Sequence, residues 1–390
     1  MSSTAFTNIG LLVTNDPGIG EGALGLLKNV TVLVEDGVIV SIGNSIPLGV
    51  DTVIDLENRT VLPGFVDSHT HLIFAGDRSD EFAARSSGTA YTAGGIKRTV
   101  AATRAATPDQ LRVNAQHLLN EALLTGTTTV EIKSGYGLSP DSEALAIDIA
   151  SEFTDETTLL AAHVVPEEYS GDADSYIQMI IDTMIPRTEA KWIDVFCDRG
   201  AFTPEQTRRI FTAAKQYGLL PRIHANQLEP GEGVAIAIEF DAASADHLST
   251  SSKKDIELLA ASNTVATLLP GAEFSTHLVP GIGRTFLDAG AKVAIATDCN
   301  PGSSFTTSMP FCIASAVSLL GFTVDEAILA ATAGGAAALR RTDIGKISSG
   351  YTADFIALDA PSYIHLAYRP GVNLVRNIYT SGKEVRTWQK

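Results

Sequence analysis

Eight short apolar runs, alternating with segments that carry helix signals, constrain this chain more than any other feature. The runs fall at 65–69, 128–132, 158–164, 192–196, 222–225, 243–247, 264–269 and 293–297. Most are nearly continuous in apolar and β-branched residues, the pattern of strands covered on both faces in a parallel sheet. Between them, residues 108–124 place Leu111, Ala115, Leu118 and Ala122 on one helical face. Thr203-Pro204-Glu205-Gln206 is a capping box with proline at the first helical position, Gly218 is a C-terminal stop, and Thr323-Val324-Asp325-Glu326 opens the last helix in the same way. This alternation predicts an α/β fold, a (β/α)8 TIM-like barrel over 63–344.

Both ends of the chain have a different texture. Runs at 30–34 and 38–42 flank Glu35-Asp36-Gly37, a hairpin signal, and 53–56 and 60–62 continue the β pattern. After Arg341 the β texture returns at 345–347, 355–358 and 376–380. Residues 1–62 and 345–390 are therefore predicted to pair into one small composite domain, β-rich and sandwich-like, beside the barrel. Gly18-Ile19-Gly20-Glu21-Gly22-Ala23 loosely imitates a dinucleotide fingerprint, but little helical periodicity follows it, so it is read as a turn.

Of 390 residues, 45 are acidic and 28 basic, a formal charge of −17. Such a balance excludes a polyanion such as nucleic acid as the natural partner and gives no polybasic grip on an anionic membrane. Cys197, Cys299 and Cys312 cannot build a disulfide framework, and the start, MSSTAFTNIG, shows neither the basic n-region nor the apolar h-region expected of a signal peptide. No apolar run nears the ~18 residues that span a bilayer. A cytoplasmic enzyme is expected.

Five of the eight histidines, His69, His71, His163, His224 and His247, sit at the C-terminal ends of predicted barrel strands, while His117, His277 and His365 do not. Those ends form the active-site face of a barrel. His69-Thr70-His71 places two imidazoles on one side of a strand, and with His224, His247 and Asp298 on later strand ends it forms a metal-ligand constellation. Nitrogen and carboxylate donors without a cysteine cluster suit one catalytic divalent ion, Zn or Fe. Cys299 follows Asp298 directly and would point away from it, which argues against a nucleophile.

Taken together, PGFVDSHTHLIFAGDRSDEF at 63–82, VEIKSGYGL at 130–138, HVVPEEY at 163–169, DVFCDRGAF at 194–202, RIHANQL at 222–228, SADHL at 244–248, LLPGAEF at 268–274 and ATDCNPGSS at 296–304 carry a resemblance. The chain resembles the amidohydrolase superfamily and, within it, the imidazolonepropionase family of histidine degradation. The resemblance implies that His69, His71, His224 and Asp298 hold one Zn or Fe ion. It implies His247 as the acid/base beside the attacking water, with Asp298 sharing the proton, and Gln227 facing the substrate. Arg78, Tyr91, Tyr136 and His163 are implied as substrate binders, with Asn300, Gly302 and Ser303 around the product's polar groups. Glu167 and Asn226 depart from the family pattern, at positions that are not ligands.

The residues themselves agree with the implied chemistry. An imidazolone propionate carries a carboxylate, which calls for a guanidinium fork, and Arg78 lies seven residues past His71. A surface Arg78 pairing with Asp77 or Asp80 is the alternative, as core packing is for Tyr136. Lys133 is expected to be structural or salt-bridging. The expected reaction is hydrolytic opening of 4-imidazolone-5-propanoate to N-formimidoyl-L-glutamate. The expected partners are a small anionic heterocyclic substrate and a second copy of the chain in a homodimer. Two rivals remain at this point: an aminohydrolase that deaminates a purine-like ring, for which Arg78 has no use, and a non-catalytic binding protein on the same barrel, which would have lost ligands.

Overall fold

The computed structural model describes residues 2–45, 48–88, 95–276 and 282–390. It begins with strands β1 (Ser3–Val13), β2 (Leu26–Glu35), β3 (Val38–Gly43) and β4 (Thr52–Pro63). The predicted hairpin forms between β2 and β3: Asp36 and Gly37 have φ of 45° and 85°, the left-handed pair that a type I′ turn needs. β1 escapes the sequence reading because Thr4, Thr7, Asn8 and Gly10 interrupt its apolar pattern. It is nonetheless central, antiparallel to β2 and parallel to β4. The runs at 53–56 and 60–62 prove to be the single strand β4, kinked where Glu57 and Asn58 take positive φ opposite a register shift in β1. A Cβ on Gly10 would collide with the Asn58 backbone at this kink, which explains the glycine.

The chain then enters β5 (Phe65–Asp67), β6 (Thr127–Val130), β7 (Ile132–Lys133), β8 (Thr157–Ala162), β9 (Trp192–Cys197), β10 (Leu220–Ala225), β11 (Ser244–His247), β12 (Val265–Leu268) and β13 (Val293–Ile295). β7 to β13 form a parallel seven-stranded sheet in sequence order, and β5 pairs with β6. β6 and β7 are the second predicted strand, broken only at Glu131, whose N–H still donates to Asp67 O at 2.9 Å. Beyond the last strand the edges meet: Thr70 and Cys299 form a parallel bridge, and Asp298 N–H donates to His69 O at 3.0 Å. The sheet is thus curled into an α/β barrel-like layer. The Asp67 carboxylate ties the two edges further by accepting from Thr297 N–H at 3.0 Å and from its hydroxyl at 2.5 Å.

Helices follow the predicted punctuation. Pro108–Leu124 buries Leu111, Ala115, Leu118 and Ala122, and Thr107, Thr203 and Thr323 each close a capping box. Several strands stop earlier than predicted. β5 ends at Asp67, β8 at Ala162 and β13 at Ile295, so His69, His71, His163 and Asp298 stand just past strand ends, whereas His224 and His247 lie on β10 and β11. Asp298 itself takes φ of 53°, a left-handed turn three residues past the end of β13.

The chain finishes with β14 (Phe355–Leu358), β15 (Val375–Thr380) and β16 (Lys383–Glu384), which join the N-terminal strands in one sheet of order β16-β15-β14-β4-β1-β2-β3. Residues 345–347 are not a strand; Ile347 is buried by its side chain and donates one backbone bond to Thr14 O at 2.9 Å. Phe6 anchors this sheet's core, packing edge-on against Phe355 and Tyr379 at centroid distances of 4.8 and 4.9 Å. No described helix is long and apolar enough to cross a membrane.

Candidate metal centre and substrate cavity

Past β5 the chain carries His69 and His71 to one point, with their Nε2 atoms 3.2 Å apart. The His224 Nε2 atom, from the end of β10, lies 3.4 Å from that of His71. Asp298 Oδ1 stands 3.5 Å from His69 Nε2 and 3.4 Å from His71 Nε2. Ligand atoms of His69, His71 and His224 fall within 4.8 Å of one another, as do those of His69, His247 and Asp298. All five residues are buried.

Two carboxylates decide which nitrogens face this point. Asp246 Oδ2 accepts from His69 Nδ1 at 2.7 Å, and Asp194 Oδ1 from His224 Nδ1 at 3.0 Å. With both Nδ1 protons so engaged, the Nε2 lone pairs are left to converge with those of His71 and the Asp298 carboxylate. Four electron-pair donors at such distances repel unless a positive charge lies among them. Burial and Lys133 push the His69 pKa down, yet Asp246 and Asp298 outweigh them and raise it, so the carboxylates favour a positive charge here. Burial drives His71 down to about 4 against the pull of Asp298, and its Nδ1 has no hydrogen-bond partner among the described residues. This donor set can hold a divalent cation. His247 is kept neutral chiefly by burial, with Asp298 opposing.

Beneath the donors lies a fully buried ionic network. Lys133 Nζ is 2.9 Å from both Glu131 Oε1 and Asp194 Oδ2, which agrees with the structural part expected of it. Arg222 donates to Ser68 O at 2.6 Å and lies 3.7 Å from Asp246 Oδ2. For Asp194 and Asp246, burial alone would raise the pKa, but the cations and histidines around them overcome it and hold both carboxyls ionised. Neither aspartate was singled out from sequence. Their signal was an acidic residue inside an otherwise apolar strand, in WIDVFC and SADH.

A small cavity opens on the donors, lined by His71, Arg78, Tyr136, His163, His224, Gln227, His247, Asp298, Asn300 and Ser303. His163 bonds Gly135 O through Nδ1 at 3.0 Å and stacks on His71, with ring centroids 5.4 Å apart. Arg78 is buried and pairs with Glu81, not with Asp77 or Asp80 as a surface arginine would. Asn300 spends its side chain within the loop: its Oδ1 accepts from Gly302 and Ser303 N–H at 2.8 Å each, and its Nδ2 donates to Asp298 O and Ser303 Oγ. Ser303 Oγ in turn donates to Asp298 Oδ2 at 3.0 Å. Asn300 thus builds the turn that aims Asp298. Gly302 lies against the Arg78 guanidinium instead of on the cavity lining. Gln227 is fixed by its backbone N–H, which donates to Asp198 Oδ2 at 2.7 Å. Cys299 is buried, which pushes its thiol up and leaves no nucleophile. Tyr91 and His277 lie outside the described residues.

The sequence model of the amidohydrolase family matches residues 60–385. Imidazolonepropionase of Nocardia farcinica (strain IFM 10152) is 55% identical over 385 residues, 98% of this chain and 98% of that protein. Imidazolonepropionase of Streptomyces griseus subsp. griseus is 55% identical over 389 residues, 99% and 100% of the two chains. The chain belongs to the imidazolonepropionase family of amidohydrolases. Members of this family are hydrolases of carbon–nitrogen bonds, and the amidohydrolases depend on metal. Among solved structures, a triazine hydrolase variant superimposes with a TM-score of 0.75 at 18% identity, over 98% of this chain and 94% of its own. A guanine deaminase from C. acetobutylicum with bound guanine gives 0.69 at 16%, over 98% and 100%. At those identities the likeness to this imidazolonepropionase-family chain is one of fold.

Proposed function

We propose that the chain hydrolyses 4-imidazolone-5-propanoate to N-formimidoyl-L-glutamate at the cavity above His69, His71, His224 and Asp298, in a (β/α)8 barrel spanning 63–344. On this reading 1–62 and 345–390 form the composite β-rich domain that braces the barrel. The single observation that carries the proposal is that one small cavity holds both the convergent donor set and a buried guanidinium, Arg78. A neutral purine has no use for that cation, which disfavours a deaminase, and the complete donor set disfavours a disabled binding protein.

His69, His71, His224 and Asp298 would hold one ion, Zn or Fe. When bound, such an ion would supply water made acidic enough to attack near neutral pH. Arg78 binds the propionate side chain and orients the ring. Tyr136 and His163 give it a flat wall, and Tyr91 is proposed as a further substrate binder. Gln227 faces the ring's polar edge, and Asn300, Gly302 and Ser303 shape the loop around the product. His247, held neutral, accepts a proton at a ring nitrogen and returns it to the leaving ring nitrogen as the C–N bond breaks. Asp298 shares the proton. General acid–base help of this kind is worth typically ~10²–10⁴ in rate. The assembly is proposed to be a homodimer in the cytoplasm, acting on a small anion and on neither nucleic acid nor membrane; the three buried free thiols suit a reducing compartment.

The test is an assay of imidazolone propionate against a panel of purines, with metal content measured in parallel. Turnover of a purine with no activity on the imidazolone would overturn the proposal.

A further inference from the structure

Arg78 lies in a slot whose other walls explain two glycines. Its Nε and Nη2 atoms donate to Glu81 Oε2 at 3.0 and 2.8 Å. A Cβ on Gly95 would collide with the Glu81 carboxylate and with Arg78 Nη2, and a Cβ on Gly302 would collide with Arg78 Nη1. Neither glycine has the positive φ that would demand glycine for backbone reasons. Their missing side chains make room for the ion pair. The arginine side chain is 5% exposed and the glutamate 25%, and at the outer end Glu81 Oε1 lies 3.8 Å from Arg98 Nη1, so the pair is fixed at the inner end and partly open at the outer.

Such a slot has a consequence for anion recognition. A guanidinium on a flexible stem loses rotamer freedom each time it grips a carboxylate, and a site that has already lost it binds more tightly. Glu81 works against binding through its charge and for binding through geometry. Its partly exposed carboxylate is screened, so the geometric effect dominates.

Resting on the reaction proposed above, we propose that Glu81 is the positioning residue of the carboxylate site. By taking the Nε–Nη2 edge of Arg78 it holds the guanidinium between Gly95 and Gly302 and leaves the Nη1 edge for the substrate's carboxylate. Gly95 and Gly302 are part of the same device.

The experiment uses the metal-loaded full chain and two non-reacting probes, imidazole propanoate and its uncharged propanamide, with binding read by calorimetry. Glu81→Ala is expected to weaken the propanoate roughly tenfold, the size of one charge-assisted hydrogen bond, while leaving the propanamide and the metal content unchanged. Glu81→Gln keeps an acceptor without the charge and is expected to restore binding to within about twofold. Gly95→Ala displaces the pair without altering any charge and is expected to repeat the Glu81→Ala loss. With the true substrate the same variants raise KM and leave kcat nearly unchanged. Propanoate binding in Glu81→Ala that is unchanged or tighter overturns the inference, as does an equal loss for acid and amide. Because the probes do not react, a wild-type protein that binds propanoate but fails to hydrolyse the imidazolone overturns only the reaction assignment.

Discussion

Under the terminal sheet, Phe6 packs edge-on against Phe355 and Tyr379 within a cluster of fully buried apolar side chains. Beneath the donor set, the equivalent space is filled by Glu131, Lys133, Asp194, Arg222 and Asp246, every one without exposed area. Both regions are buried, yet they are built from opposite chemistry. Apolar burial stabilises at about 25 cal/mol per Å² and needs no precise partner geometry. Buried ions gain little net stability, because desolvation offsets their attraction. A chain that places five of them together is spending stability on orientation, since Asp194 and Asp246 hold the His224 and His69 rings and Lys133 and Arg222 lie against those two carboxylates. The sheet keeps the molecule folded, and the ionic layer aims it.

The contrast can be broken or sharpened by substitution. The largest effect is expected from His71→Ala, which removes a donor whose loss nothing else replaces: metal content by elemental analysis and turnover should fall together. His247→Ala should come next, with turnover down ~10²–10⁴ and metal retained; full activity in this variant would remove His247 from the reaction. Lys133→Met and Phe6→Ala form the decisive pair. Each should cost about 3–5 kcal/mol of stability in denaturant melts, the first by stranding buried carboxylates and the second by opening a cavity. Only Lys133→Met should also weaken metal binding, by roughly 10–100-fold in a chelator competition, through Asp194 and His224. Equal effects of both variants on metal affinity would erase the distinction between the regions.

The smallest effect tests a buried carboxylate that meets no cation among the described residues. Glu273 accepts from Ser249 at 3.1 Å, its Oε2 has no hydrogen-bond partner among the described residues, and burial raises its pKa from 4.5 to about 7. The folded state therefore binds the proton more tightly than the unfolded one. Its stabilising contribution is complete below pH 4.5 and is lost as pH rises to about 7, with a slope of at most about 1.4 kcal/mol per unit. Glu273→Gln should flatten that slope in melts across the same window, and an unchanged slope would assign it to another group.

Much of this architecture was legible because it depends on neighbours in sequence. A proline after a capping threonine starts a helix, and Asp36-Gly37 turns a hairpin, whatever the rest of the chain does. The H-x-H pair is legible for the same reason, since residues two apart on extended chain share a side. β1 was hidden because its strength comes from two partner strands and not from its own pattern. Arg78 was legible as a cation beside the site, but its partner Glu81 was not chosen over Asp77 or Asp80, because three carboxylates within a turn are equivalent until the helix from Ser79 fixes their directions.

What the sequence by itself determined is the inventory: the runs that become strands, the turn and cap residues, and the histidines and aspartate available to a metal. Only the tertiary structure decided how they act. Asp246 meets His69 across 177 residues and Asp194 meets His224 across 30, and those two contacts choose which ring nitrogens carry the protons. The glycines at 95 and 302 acquire their meaning only when the chain brings them to either side of one guanidinium. The reason is physical: propensity and periodicity act over a few residues, whereas lone-pair direction and charge compensation act over a few ångströms, and only folding converts one distance into the other.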